Sequence, residues 1–208
     1  MPTALLIIDM QQALCSGEEA AVGIDCVLDR VNVLSRRARE ARVPVILIQH
    51  EEAEGPLVVG GLGWQLADEL ETENTDLRVR KKSPNAFHET DLDELLRSRG
   101  TDRLIICGLQ TEFCVDTTVR QALALGYEVA LAADAHSTVN GVISAADAIA
   151  HHNRTLGFMG GFGRKIEVKS AADILGSVRK VGTGRIAAMI GWRPTWQGAT
   201  NSQMRAGS

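Results

Sequence analysis

The chain has 208 residues, 45% of them hydrophobic and 23% charged, with a formal net charge of −4; this composition suits one α/β domain with a sizeable core. The acidic balance argues against a nucleic-acid surface, which needs concentrated Lys and Arg, and no apolar run reaches the roughly 18 residues of a membrane span. Four cysteines without C-x-x-C or metal-finger spacing point to free thiols in a reducing compartment, and a cytoplasmic chain without signal peptide is expected because Met1 leads directly into an apolar strand.

Ala4-Leu5-Leu6-Ile7-Ile8 is a continuous apolar run closed by Asp9, the pattern of a strand buried on both faces. From Asp25 to Ala41, Val27, Val31, Leu34 and Ala38 recur at helical spacing. Pro44 opens a second buried strand, Val45 to Ile48, followed by a Gly-rich loop from Gly55 to Gly63 and a short helical pattern from Gln65 to Leu70. Leu77-Arg78-Val79-Arg80 alternates as a short strand does, and Asp91 to Arg99 reads as a helix capped by Gly100.

The strand Leu104 to Cys107 breaks at Gly108, and a helix from about Thr111 to Leu125 ends at Gly126. Tyr127 to Ala133 is a further strand ending in Asp134; a helix from about Ser144 to Leu156 and a last strand, Lys165 to Val168, follow. Alternation of strands with helices predicts an α/β fold, a mostly parallel sheet with helices on both faces. Such sheets bind ligands outside the carboxyl ends of their strands, where Asp9, His50, Cys114 and Asp134 all fall. Cys26 and Cys107 lie in apolar-patterned segments and are expected to be buried.

From Gly176 onward the chain carries five Lys or Arg, no acid, and Trp192 and Trp196. The expected organisation is therefore a domain over 1–175 and a basic tail over 176–208, disordered or packed on a neighbouring subunit.

Cys114 is the most informative residue for chemistry. A thiol in the first turn of a helix after a strand meets unpaired N–H groups and the positive end of the helix dipole, which favour a thiolate and can hold an oxyanion. On that reading Cys114 reacts faster near neutral pH than the other three thiols. Such a nucleophile needs a base and a positive neighbour, and Asp9 and Lys81 supply one of each. Each also has a plain structural reading: Asp9 as a cap or turn residue, Lys81 as a solvated charge, Cys114 as core.

Three blocks carry a resemblance: Ala4-Leu-Leu-Ile-Ile-Asp9-Met-Gln, then Val79-Arg80-Lys81 with Pro84 and Phe87, then Gly108-Leu-Gln-Thr111-Glu-Phe-Cys114-Val115. Their joint order, with Gln121 to Val129 and Ala133-Asp134-Ala135, resembles the isochorismatase-like cysteine hydrolases over approximately residues 3 to 175. The resemblance implies a three-layer α/β/α fold and an Asp9-Lys81-Cys114 triad, with Lys81 matched rather than Lys82 by its six-residue distance to Phe87. It further implies a non-proline cis peptide before Gln110, an oxyanion hole from the backbone N–H groups of Gln110 and Cys114, and a homo-oligomer, dimer or tetramer.

The sequence departs from the nicotinamidases of that superfamily in its second-strand region, where Ile48-Gln49-His50-Glu51-Glu52 lacks their Asp and His cluster; no metal and no other cofactor is expected. Cys114 sets it apart from isochorismatases proper, which cleave a vinyl ether without a nucleophilic cysteine. The resulting expectation is a hydrolase that cleaves a C–N bond of a small amide or imide through a thioester, with an ether- or lactam-cleaving enzyme or a non-catalytic partner-binding member as alternatives. His50, Trp64, Phe87, Leu109 and His136 are the candidates for the substrate pocket, while His151 and His152, mid-helix, receive no role.

Overall fold

Residues 1–160 and 162–177 are described by a computed structural model. In chain order they form β1 (Thr3–Ile8), α1 (Gln12–Cys15), α2 (Ile24–Glu40), β2 (Val45–His50), β3 (Leu77–Lys81), α3 (Leu92–Ser98) and β4 (Arg103–Leu109). A π-helical turn (Thr111–Val115) then leads into α4 (Asp116–Ala124), β5 (Glu128–Ser137), α5 (Ala145–Gly157), β6 (Ile166–Lys169) and α6 (Ala171–Ser177). The strands make one six-stranded sheet in the order β3-β2-β1-β4-β5-β6, parallel at every pairing.

Burial on both faces explains the uninterrupted apolar strands. In β1, Leu5 and Ile7 point into one core layer with Val27, Val31 and Leu34 of α2 and Ile174 of α6. Ala4, Leu6 and Ile8 point into the other, with Leu92 and Leu96 of α3, Val119 and Leu123 of α4 and Leu156 of α5. Each fully buried Leu, Ile or Val contributes about 1.5–3 kcal/mol, so these two layers dominate the stability of the sheet. The chain runs outward from β1 to β3 and then from β4 to β6. The strand order thus reverses between β1 and β4, the crevice where ligands bind in such sheets.

Several local expectations are corrected. Residues 65–70 form turns rather than a helix, because Leu66 makes an antiparallel bridge with Gln11. β5 does not end before Asp134: a register shift between Ile106 and Gly108 lets it continue to pair His136 with Gly108 and Ser137 with Leu109. Cys26 is exposed, since the buried stripe of α2 runs through Val27, Val31, Leu34 and Ala38 and leaves Cys26 on the outer face. The short α1 and α6 carry too little periodicity to be read from sequence. α6 crosses the 175/176 boundary, and the remainder of the tail, with Trp192 and Trp196, lies outside the described residues. No helix among the described residues is long and apolar enough to cross a membrane.

Candidate active site

Three strand ends deliver Asp9, Lys81 and Cys114 to the crevice, and β2 ends in His50. Asp9 follows β1 directly, and its N–H donates to the Ile48 carbonyl at 2.9 Å while its own carbonyl accepts from the Gln11 N–H at 2.8 Å. This tight reversal sets Asp9 at φ 51°, a left-handed conformation that Asp tolerates better than most residues. Lys81 is the last residue of β3, and strand alternation turns Val79 and Lys81 inward while Arg78 and Arg80 face out. Cys114 arrives on the π-helical turn after β4. At Gly108 β4 closes on β1 so tightly that a Cβ would stand 2.1 Å from the Ile8 carbonyl oxygen, at φ +116°; only glycine fits both conditions.

The ammonium of Lys81 stands at the centre of the group. Its Nζ lies 2.7 Å from Asp9 Oδ2, with side-chain exposures of 0% and 1%, so water cannot stabilise either charge. It also donates to Cys114 Sγ at 3.1 Å and meets His50 Nδ1 at 3.1 Å. An ammonium has three N–H donors, and all three are placed, which offsets the cost of burying the charge. Because an ammonium only donates, Nδ1 of His50 must be an acceptor. The imidazole is therefore neutral, with its hydrogen on Nε2, which lies 3.9 Å from Glu52 Oε1. Burial and then the Lys81 charge lower the His50 pKa, against Asp9, Glu52 and Glu51, which raise it.

The thiol departs from expectation. Its position in the first turn suggests a lowered pKa; instead burial, followed by the Asp9 carboxylate, pushes Cys114 up to about 12, with Lys81 opposing. The preceding turn is π-helical rather than α-helical, with the Gln110 carbonyl accepting from Phe113 N–H at 3.2 Å and Val115 N–H at 3.1 Å. Cys114 is thus a partly buried thiol beside a carboxylate and an ammonium, whereas Cys26 is exposed. The peptide bond Leu109–Gln110 is cis.

Asp9, His50 and Cys114 form a group whose ligand atoms lie within 4.8 Å of one another, a donor set that zinc accepts. Lys81 bonds all three, so a resident cation would stand against a buried ammonium; the set does not fit a metal while Lys81 is charged.

The pocket candidates separate. His50 belongs to the group. Trp64 is tied to it through Gln11, whose Nε2 donates to the carbonyls of both His50 and Trp64 at 2.9 Å and whose Oε1 accepts from the His50 N–H at 2.8 Å. The Trp64 indole N–H is buried with no partner among the described residues, and the Arg80 guanidinium lies over its ring, 5.7 Å from the centroid. Leu109 is fully buried in the core layer of α2, so its side chain does not line a pocket. Phe87 stacks on Tyr127 with centroids 6.0 Å apart, and Tyr127 precedes β5, at the opposite end of the sheet.

His136 is engaged on both nitrogens, with Thr111 Oγ1 at 2.9 Å from Nδ1 and Asn153 Oδ1 at 3.0 Å from Nε2. Asn153 Nδ2 donates to the Ala133 carbonyl at 2.9 Å, which makes Oδ1 the acceptor and puts the His136 hydrogen on Nε2. Asp134 faces away from the group, accepting from the Ala171 N–H at 2.7 Å and pairing with Arg30 at 3.2 Å. Reasoning from sequence assigned no task to Gln11, although the first motif contains it two residues after Asp9. Nor did it find the Thr111–His136–Asn153 tie, whose members lie far apart in the chain and leave no local signal.

A parallel three-layer α/β/α sheet with a cysteine, a lysine and an aspartate meeting at its switch point defines the class of protein. The isochorismatase domain model matches residues 3–156, and the chain belongs to that family. It is 40% identical over 136 residues to a streptothricin hydrolase of Streptomyces noursei, covering 65% of this chain and 49% of the relative, so the match spans about half that relative's length. It is 32% identical over 170 residues to the ureidoacrylate amidohydrolase RutB of Pseudomonas savastanoi pv. phaseolicola, covering 64% of this chain and 69% of RutB. A solved isochorismatase family protein superposes with a TM-score of 0.74 at 38% identity, covering 81% of this chain and 98% of that one.

Proposed function

We propose that the protein is a cysteine-dependent hydrolase of a C–N bond in a small non-peptide amide, working through a thioester acyl-enzyme. The observation that carries this reading is the buried Lys81 ammonium, bonded at once to Asp9 Oδ2 and Cys114 Sγ. The names of two relatives, an amidohydrolase and a hydrolase, support the bond class.

A thiol whose pKa is raised to about 12 does not supply its own thiolate near neutral pH, so the arrangement calls for a base at the moment of attack. Asp9 takes that proton as the sulfur bonds to the carbonyl carbon, and Lys81 balances the negative charge as it forms on sulfur. The carbonyl electrons move to oxygen, held by the backbone N–H groups of Gln110 and Cys114. The carbonyl re-forms as the C–N bond breaks, and Asp9 returns its proton to the leaving nitrogen. Water then adds to the thioester with Asp9 as base, the S–C bond breaks, the acid product leaves and the thiol regains its proton.

The test is release of ammonia or amine from a panel of small amides, ureides, carbamates and lactams. Cys114→Ala is expected to lose about 10³-fold or more of the turnover while keeping the wild-type far-UV and thermal signature. Wild-type turnover in Cys114→Ala would overturn the assignment.

A further inference from the structure

We propose that His50 is a fourth member of this site, a positioning residue that takes the third donor of Lys81 and so fixes the ammonium against Cys114 and Asp9. The inference deepens the reading above and rests on it in one respect, that Cys114 Sγ is the reacting atom.

A lysine side chain has four rotatable bonds and a point charge, and it holds a position only where its donors are all taken. Lys81 is held at 2.7 Å by Asp9, 3.1 Å by Cys114 and 3.1 Å by His50. Two of those partners change charge in the proposed reaction: Asp9 gains a proton and Cys114 loses one. His50 is the partner that stays neutral throughout, so it anchors the ammonium while the other two exchange a proton.

The backbone that carries the imidazole is itself well fixed. Gln11 clamps it on both N–H and carbonyl, and Glu52 faces Nε2 at 3.9 Å. The charged and titratable groups around it are Lys81, Asp9, Glu51, Glu52 and Cys114. His50 thus stands between the Lys81 ammonium, bonded at Nδ1, and the Glu52 carboxylate, which lies near Nε2 but beyond hydrogen-bond length. Losing His50 leaves one donor of a fully buried ammonium unpaired, and an unpaired donor drives a flexible side chain toward any acceptor it can reach.

Alkylation of Cys114 by chloroacetamide at neutral pH tests this in the full chain carrying Cys26→Ser, so that the exposed thiol is silent. His50→Ala is expected to slow Cys114 by about tenfold, the scale of one hydrogen bond to a charged group. His50→Asn places an amide oxygen near the Nδ1 position and is expected to recover the rate to within about threefold. The rates are read well below both thermal midpoints, so that loss and rescue report the folded site and not the folded fraction. An alanine variant that alkylates as fast as the parent or faster, or an asparagine variant as slow as alanine, overturns the role. Should His50→Ala fail to fold, the rate of His50→Asn against the parent decides, and a tenfold loss there overturns it. Alkylation needs no substrate. The loss-and-rescue pattern without turnover of any amide would therefore sink the hydrolase reading and leave the positioning role standing.

Discussion

His50 and His136 both stand at the carboxyl edge of the sheet, both are held neutral chiefly by burial, and both carry their hydrogen on Nε2. They flank the turn that bears Cys114, His50 on the β1–β3 side and His136 on β5. Their partners differ. His50 faces an ammonium and a carboxylate, whereas His136 is spent on a threonine hydroxyl and an asparagine amide. One side of the turn concentrates buried charge; the other ties the turn to β5 and α5 with neutral hydrogen bonds. The same residue type beyond the same kind of strand end thus borders buried charge or serves as scaffold according to what lies across from it.

The sharpest way to break this division is to remove the charge at its centre. Lys81→Met leaves Asp9 buried without its partner, and breaking a buried pair from one side costs about 3–5 kcal/mol. Turnover should fall together with stability, read as a drop in the denaturation midpoint at an unchanged slope. A variant as stable as the parent would mean that the ion pair is not holding the crevice together.

His136 should reveal itself through pH. Its folded pKa lies below the ordinary value of 6.5, so below that value the unfolded chain takes up a proton that the folded chain refuses. The stability it contributes is therefore present above about pH 6.5 and is lost as pH falls toward the folded value. His50, shifted the same way, adds to the slope. His136→Gln is expected to cost about 1–2 kcal/mol at neutral pH and to flatten the acid decline of the thermal midpoint. An unchanged decline would place its origin elsewhere.

Phe87 gives the smallest effect on chemistry. Stacked on Tyr127 away from the crevice, Phe87→Ala should lower stability by about 2–3 kcal/mol and leave KM for an amide substrate where it was. A severalfold rise in KM would bring Phe87 back to the substrate and redraw the boundary between the two regions.

Much of the architecture was legible because its causes are local. Leu5 to Ile8 and Leu104 to Cys107 are apolar on both faces because they are buried on both, and Val27, Val31, Leu34 and Ala38 repeat at the helical period because they share one stripe. The alternation of β3 likewise turns Lys81 inward with Val79 while Lys82 stays 81% exposed, in agreement with the choice of Lys81 by motif. Composition and periodicity together set the parallel sheet and, through it, the edge where Asp9, Lys81 and Cys114 meet.

What the sequence could not state is who faces whom. The thiol was expected to lean toward thiolate from its place in a turn, whereas in the fold burial and Asp9, 105 positions earlier in the chain, push its pKa up. His136, Phe87, Leu109 and Asp134 stand near strand ends in sequence, yet their side chains are committed to scaffold by Thr111 and Asn153, by Tyr127, by the core layer and by Arg30. Cys26 sits in an apolar segment but on its outer face. Backbone preference and hydrophobic period act over a few residues and can be read along the chain. Desolvation and pairing act between residues brought together from distant segments, and only the tertiary structure fixes them.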